Sequence, residues 1–458
     1  MNNHNSAIIC RHFASTLALT AVVLVFGNAL PAWAEKKKSQ EKPSAPAPDD
    51  STQQKYESKV LWEFDAMDAG QNKRSAVYGY KGNAYKIFIL PGYKTMIAKI
   101  PLDGSEVQTA SLGDVTNSDN HRYYDVAADS AGYIHVSGNM HSTPIVRHWI
   151  SKNPEDISEF INTTGLGENK RPQGVHVTYP NFFKSPDGVL YHSIRCGDPV
   201  YGIGISVLDV KTQTWTVLGA DIPAEVFKAL GAGKKIKDSR GKPLTAWEEN
   251  GEGGNFGYAQ PRANIHWDKN KRMHLAFVLL NKNTATADTN KHTTTDVLYA
   301  YSDDGGKTFR RRDGSVIQMP MRAEPGPHQA DVVYSRSEGP PPWVSINAGI
   351  AFDAKGRPVV KFRDYKTGPH SMVLENGKWS ELVKSASDPT VKPQDDEEED
   401  DADPVKLATL NLPHKILRLD PQYFHETGNL LYAAEVPKKL ENSRIKIVLA
   451  KPVPPQKK

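Results

Sequence analysis

Cysteine is nearly absent. The 458 residues hold two, Cys10 and Cys196, and Cys10 lies in an apolar leader. A chain left with Cys196 alone makes no internal disulfide, so its stability must come from burial. Paired Cys/His zinc patterns are missing too. So are a G-x-S-x-G elbow and a glycine-rich phosphate loop after a strand. No metal and no cofactor is therefore expected. Charge of one sign is scarce: 57 Lys and Arg face 53 Asp and Glu, for a net charge of +4. No Lys/Arg block stands out, which argues against nucleic acid as a partner. A basic cleft for an acidic polymer stays compatible with this balance, because net charge averages over the surface.

Long apolar runs are confined to the start of the chain. Residues 1–34 carry Arg11, the run LALTAVVLVFG and the small-x-small segment Ala32-Trp33-Ala34, the layout of a secretory signal peptide. The run is shorter than the ~20 residues of a membrane span. The expectation is a secreted or periplasmic, monomeric protein that leaves the membrane after cleavage. Residues 35–54 are rich in Lys, Pro, Ala and Asp with no apolar period, and read as a disordered linker. Residues 55–450 read as the folded domain and 451–458 as a tail.

What fills the folded domain is short apolar runs broken by Gly, Pro, Asn and Asp. VLWEF, AYKIFIL, YIHVSG, MHLAFVLL and IKIVLA are examples. Many short strands at even spacing indicate an all-β sandwich, barrel or propeller. A repeated unit separates these: an apolar run, a D-x-x-G-like turn, a second apolar run. It recurs at Asp129 to Gly132, Asp187-Gly188, Asp268 to Lys271 and Asp353 to Gly356. SDDGGKTF at 302–309 matches the Asp-box of propeller blades, a tight turn over a buried aromatic. A domain of roughly 400 residues divides into about seven four-stranded antiparallel blades, so the expected fold is a seven-bladed β-propeller. Two stretches read as helices inserted between strands: 222–231, with Pro near its start and Gly at its end, and 150–161. The acidic run 393–404 reads as a solvated loop.

The chemistry-bearing residues concentrate between His121 and Arg195. In YIHVSGNMH, Ile134 and Val136 alternate with His135 and Ser137, and the alternation puts His141 on the polar side past the strand end. Arg195 also falls at a strand end. Tyr179 precedes Pro180, which favours an extended backbone. His121 completes the set. Taken singly, each is more readily read as a hydrogen-bonding residue between blades. His266 and His274 flank a turn and read as strand residues, not as metal ligands.

Taken together, the residues carry a pattern. It runs N-H-x-x-Y-D-x-x-x-D-x-x-G, then G-N-x-H, then Y-P-x-F-x-x-x-x-D-G-x-L-x-x-x-x-R-x-G, between about residues 119 and 204. This resembles the BNR-repeat group that includes the seven-bladed ulvan lyases. The resemblance implies a secreted lyase that cleaves a uronate-bearing, sulfated polysaccharide by β-elimination. It implies that Arg195 and His141 neutralise the uronate carboxylate, with Tyr179 and His121 as base and acid. Arg122, Tyr124, Tyr258 and Arg262 are the further residues expected along a polymer cleft. A sialidase-like hydrolase and a non-catalytic glycan-binding propeller are the competing expectations. Against the first stand the missing Arg-Ile-Pro segment and the presence of one good Asp-box only.

Overall fold

One turn, used repeatedly, sets the spacing of the strands. The Asp129 carboxylate Oδ1 accepts the backbone N–H groups of Ala131 and Tyr133, both at 2.9 Å. The Asp129 carbonyl accepts Gly132 N–H at 3.1 Å, with Gly132 at φ 94°. Asp268 repeats this on Asn270 and Arg272, and Asp353 on Lys355 and Arg357. One carboxylate that satisfies two N–H groups lets the chain reverse within a few residues. The turn at 185–188 keeps the geometry in a shifted frame. Ser185 stands where the others have aspartate, its Oγ accepting Val189 N–H at 3.1 Å, and Gly188 is the left-handed residue. At 302–309, Ser302 Oγ accepts Gly306 N–H and Asp304 Oδ1 accepts Thr308 N–H, each at 2.8 Å, over the buried Phe309.

The structure, a computed structural model, describes residues 55–67, 70–164, 176–197, 202–218, 265–282, 292–319, 321, 325–335, 344–353, 355–364, 366–381, 412, 415–436 and 442–453. The leader and linker, the expected helix at 222–231 and the acidic run 393–404 lie outside the described residues.

Strand β1 (Tyr56–Met67) precedes a short helix, α1 (Gly70–Arg74). The first blade is β2 (Val77–Tyr80), β3 (Asn83–Leu90), β4 (Lys94–Pro101) and β5 (Gln108–Val115). The second is β6 (Tyr124–Ala128), β7 (Ile134–Gly138), β8 (His148–Ser151) and β9 (Phe160–Asn162). The third is β10 (His176–Lys184), β11 (Leu190–Gly197), β12 (Gly202–Asp209) and β13 (Thr214–Val217). The fourth is β14 (Ile265–Trp267), β15 (Met273–Lys282), β16 (His292–Ser302) and β17 (Asp331–Ser335). The fifth is β18 (Val344–Phe352), β19 (Pro358–Asp364), β20 (Gly368–Glu375) and β21 (Lys378–Glu381). A single pair, Thr294 with Val344, links the fourth and fifth edge to edge. The sixth combines β22 (Lys415–Leu419), β23 (Leu430–Val436) and β24 (Asn442–Pro452) with β1, which pairs antiparallel to β24 from Tyr56↔Pro452 to Met67↔Asn442. The first strand of the domain thus completes the last blade, closing the ring and covering a sheet edge. Helix α2 (Pro421–Thr427) sits between β22 and β23.

The fold is an all-β propeller, with six four-stranded antiparallel blades among the described residues. The seventh blade suggested by chain length is not among them. The stretch 150–161 is not a helix. It is the end of β8, a turn and the start of β9, because Pro154 and the Asp156 carboxylate, which takes Ser158 N–H at 2.8 Å, favour a turn there.

The apolar core lies between blades. Ile87, Val126, Val136, Phe182 and Leu190 join the first three, and Tyr191, Ile205, Leu275 and Phe277 join the third and fourth. Blade faces are covered on both sides, so β6 and β7 are buried throughout. The expected half-polar alternation of β7 therefore fails: His135 and Ser137 are as buried as Ile134 and Val136. Gly138 ends β7 beneath Tyr124, whose ring would meet an added Cβ at 2.2 Å.

Candidate active site

Two loops and two strands converge between the second and third blades. The first loop leads from β5 into β6. Asp119 opens a tight Asx turn in it, with Oδ1 accepting His121 N–H at 3.0 Å. Gln71 of α1, fully buried, donates through Nε2 to the Asp119 carbonyl at 2.6 Å and also to the Asn117 carbonyl. The second loop follows β7. His141 stands between two residues in the left-handed region, Asn139 at φ 55° and Ser142 at φ 50°. Asn139 is anchored by Asp114 Oδ2 at 3.0 Å, the Val115 carbonyl at 3.1 Å and the Thr116 hydroxyl at 3.0 Å. Ser142 N–H donates to Thr178 Oγ1 at 2.9 Å, and Thr143 bridges Val177 of β10. His141 is thereby held against the third blade.

Tyr179 owes its direction to a bulge. Thr178 pairs with Arg195 and Asn181 with Ser193, so β10 advances one residue more than β11. Tyr179 sits in that bulge at φ 59°. The sequence expectation of an extended backbone before Pro180 is wrong here. Tertiary packing holds a tyrosine in a conformation that costs of order 1–3 kcal/mol, the kind of strain found where a side chain is aimed for use. Arg195 lies across the pair, its guanidinium carbon 4.5 Å from the centre of the Tyr179 ring.

The four residues named from sequence do meet. The His121 and His141 rings stack at 4.4 Å, and the centre of the Tyr179 ring is 5.9 Å from that of His121. Asp119 ties the histidines together. Its Oδ1 is 2.9 Å from His121 Nδ1 and its Oδ2 is 2.6 Å from His141 Nδ1. With both Nδ1 atoms donating to the carboxylate, each ring turns Nε2 the other way. Partial burial resists the Asp119 charge, yet hydrogen bonds from the His121 backbone and ring and from His141 hold its carboxyl down to about 2. Burial lowers the His121 imidazole below its ordinary value, and the neighbouring His141 and Arg74 add to this against the pull of Asp119. Tyr179 is the most enclosed of the four, at 7% exposed, while both histidines are half-exposed.

Among the other expected residues, Arg122 lines the site. It donates to the Asn139 carbonyl and side chain at 3.4 and 3.2 Å, and its Nε is 3.6 Å from Asp119. Tyr124 is a correction: it is fully buried, its hydroxyl donating to Asp114 at 2.8 Å and lying 2.8 Å from Thr95 Oγ1. The strand starting at Tyr124 turns that ring inward, and Tyr123 takes the outward position, stacked on Tyr179 at 5.7 Å. Tyr258 and Arg262 lie outside the described residues. His266 and His274 are cross-strand partners in β14 and β15, as read from sequence. Sequence reasoning missed Asp119 and Tyr123. A carboxylate two residues before a candidate histidine was the available signal for the first. For the second, the signal was the choice of parity in a Tyr-Tyr pair.

For a metal, Asp119, His121 and His141 are the group among the described residues whose ligand atoms all lie within 4.8 Å of one another. The absence of Cys/His pairs, from which no metal was expected, says nothing of this mixed set.

The ring of antiparallel blades is an all-β propeller, with a loop-built cluster of imidazoles, phenol and guanidinium at one blade junction. The chain belongs to the BNR repeat-containing family, which matches residues 85–385. Comparison with curated proteins finds no matching sequence. Among solved structures the chain is similar to an ulvan lyase bound to a GlcA(1-4)Rha3S saccharide. The two share 13% identity at a TM-score of 0.47, over 83% of this chain and 80% of that one. It is also similar to a second polysaccharide lyase (12% identity, TM-score 0.41, 82% and 89% covered). A third is an endo-arabinase from Bacteroides thetaiotaomicron (14%, 0.30, 69% and 99%).

Proposed function

We infer that this protein is a secreted polysaccharide lyase that cleaves a uronate-containing, sulfated, ulvan-like polymer by β-elimination. The observation that carries the reading is the convergence of His121, His141, Tyr179 and Arg195 on one partly open junction. The C5 proton of a uronic acid is weakly acidic, because the carboxylate beside it repels the developing charge. Arg195 and His141 neutralise that carboxylate; a donor of this kind is worth ~3–4 kcal/mol of barrier. His121 acts as base. Asp119 takes its Nδ1–H, and burial keeps the ring neutral, so Nε2 offers a lone pair to the C5 proton. Tyr179 donates its phenolic proton to the departing O4, and the C4–C5 double bond forms. Arg122 and Tyr123 flank this centre, where a sulfate and a sugar face would lie.

A hydrolase of the same fold needs two carboxylates across the scissile bond. Among the described residues this junction offers Asp119, which is committed to both histidines. The test is incubation with ulvan and other uronate polymers. The lyase reading expects growth of the ultraviolet absorbance of the unsaturated uronate. New reducing ends without that absorbance would replace it with hydrolysis, and polymer binding without cleavage would replace it with a lectin-like role.

A further inference from the structure

We propose that Asp119, His121 and His141 form a binding site for a divalent transition metal of the zinc class, and that the bound ion switches the lyase centre off. Two imidazoles and a carboxylate, with ligand atoms within 4.8 Å of one another, are a donor set such ions prefer. The carboxylate already stands 2.6 and 2.9 Å from the two Nδ1 atoms, so the groups need to part only slightly around an ion. They are also set in place beforehand. Gln71 holds the Asp119 backbone, and the bridge between Thr143 and Val177 holds the His141 loop. Side chains that are 27–39% exposed leave the ion a route from solvent.

Coordination through Nδ1 displaces the proton on that atom of each ring: His121 carries it to Nε2, and His141, which needs a proton on Nε2 to face the substrate carboxylate, releases its Nδ1 proton to solvent. His121 then loses the lone pair that faces the substrate, and His141 is withdrawn from the carboxylate. Three protein ligands leave a position for water. Arg122, 3.6 Å from Asp119, opposes the ion, so binding is weaker than at a closed four-ligand structural site.

The metal binding stands on this geometry alone, whereas the inhibition rests on the lyase reading. The deciding experiment titrates the full secreted chain with Co²⁺, followed by its visible ligand-field bands, and with Zn²⁺ against a chromophoric chelator. The expected result is one saturable site in the wild type. Asp119→Asn and His141→Ala should each weaken it by roughly 10–100-fold or more, with melting unchanged. Absence of saturable binding, or equal affinity in the conservative Asp119→Asn variant, overturns the site. On an active preparation, Zn²⁺ at site-filling concentration should abolish turnover and a chelator should restore it. Full activity with the site filled overturns the inhibition. A protein inactive on every uronate polymer refutes the lyase reading while the titration still decides the metal.

Discussion

Two groups of histidines come from one stretch of chain, between His121 and His192, and sit in opposite surroundings. His121 and His141 sit on loops, half-exposed, with one carboxylate spanning them. His135, His148 and His192 lie inside the second and third blades, each at most 2% exposed, walled by Phe182 and Trp215. His135 Nδ1 meets His148 Nε2 at 3.1 Å, and His192 Nε2 meets Ser137 Oγ at 3.1 Å. Desolvation lowers His135 despite the help of Asp129, and lowers His148 well below the usual imidazole range. The same side chain is thus a buried hydrogen-bonding spacer in one place and, on the proposed reading, a positioned proton acceptor in the other. Both groups have an aspartate partner, Asp129 and Asp119, so the difference is made by water access and not by residue type.

Substitution separates the two groups. Tyr179→Phe and Arg195→Ala should each cut turnover by roughly 100–10,000-fold with an unchanged melting temperature. Equal losses of activity and melting would return both to a packing role. Asp119→Asn keeps the shape but loses the carboxylate that orients two rings, so a fall of about 10–100-fold in kcat is expected. A wild-type rate would show that the rings are held by their loops alone.

In the buried group the expected effect is on stability. His148→Ala removes a fully packed ring and its bonds to His135 and Thr163, and should cost about 2–4 kcal/mol. Denaturant unfolding measures this, and a loss confined to activity would contradict the spacer role. The pH dependence has a definite sign. His135, His148 and His274, the last lowered to about 4, have folded values below their unfolded one. The unfolded chain takes up more protons, so stability is full above about pH 6.5 and falls as pH drops below it. Melting temperature should decline from about pH 7 to about pH 5, and His148→Gln should flatten the slope. The smallest effect is expected at Tyr124→Phe. It loses the bond to Asp114 and about 1 kcal/mol, and leaves turnover unchanged.

The strands and turns were legible because each reversal needs a short polar side chain and a left-handed residue, and Asp129, Asp268 and Asp353 meet that need visibly. The four site residues were legible by type and by their place near strand ends. What escaped the sequence depended on three-dimensional context. The alternation in β7 misled because propeller blades are buried on both faces. The Tyr123-Tyr124 pair gave no hint of which ring faces outward. The proline after Tyr179 points to an extended backbone, and only the pairing against β11 shows the bulge that aims it. Asp119 went unremarked in the sequence; it forms a turn of its own, and its second task is set by His141 arriving from another loop.

The most direct measurement follows ultraviolet absorbance while wild type and Tyr179→Phe act on a glucuronate-containing sulfated polymer. Steady growth is expected with the wild type and a nearly flat trace with the equally stable variant. A flat wild-type trace across uronate polymers, or a variant as fast as the wild type, would contradict the lyase reading.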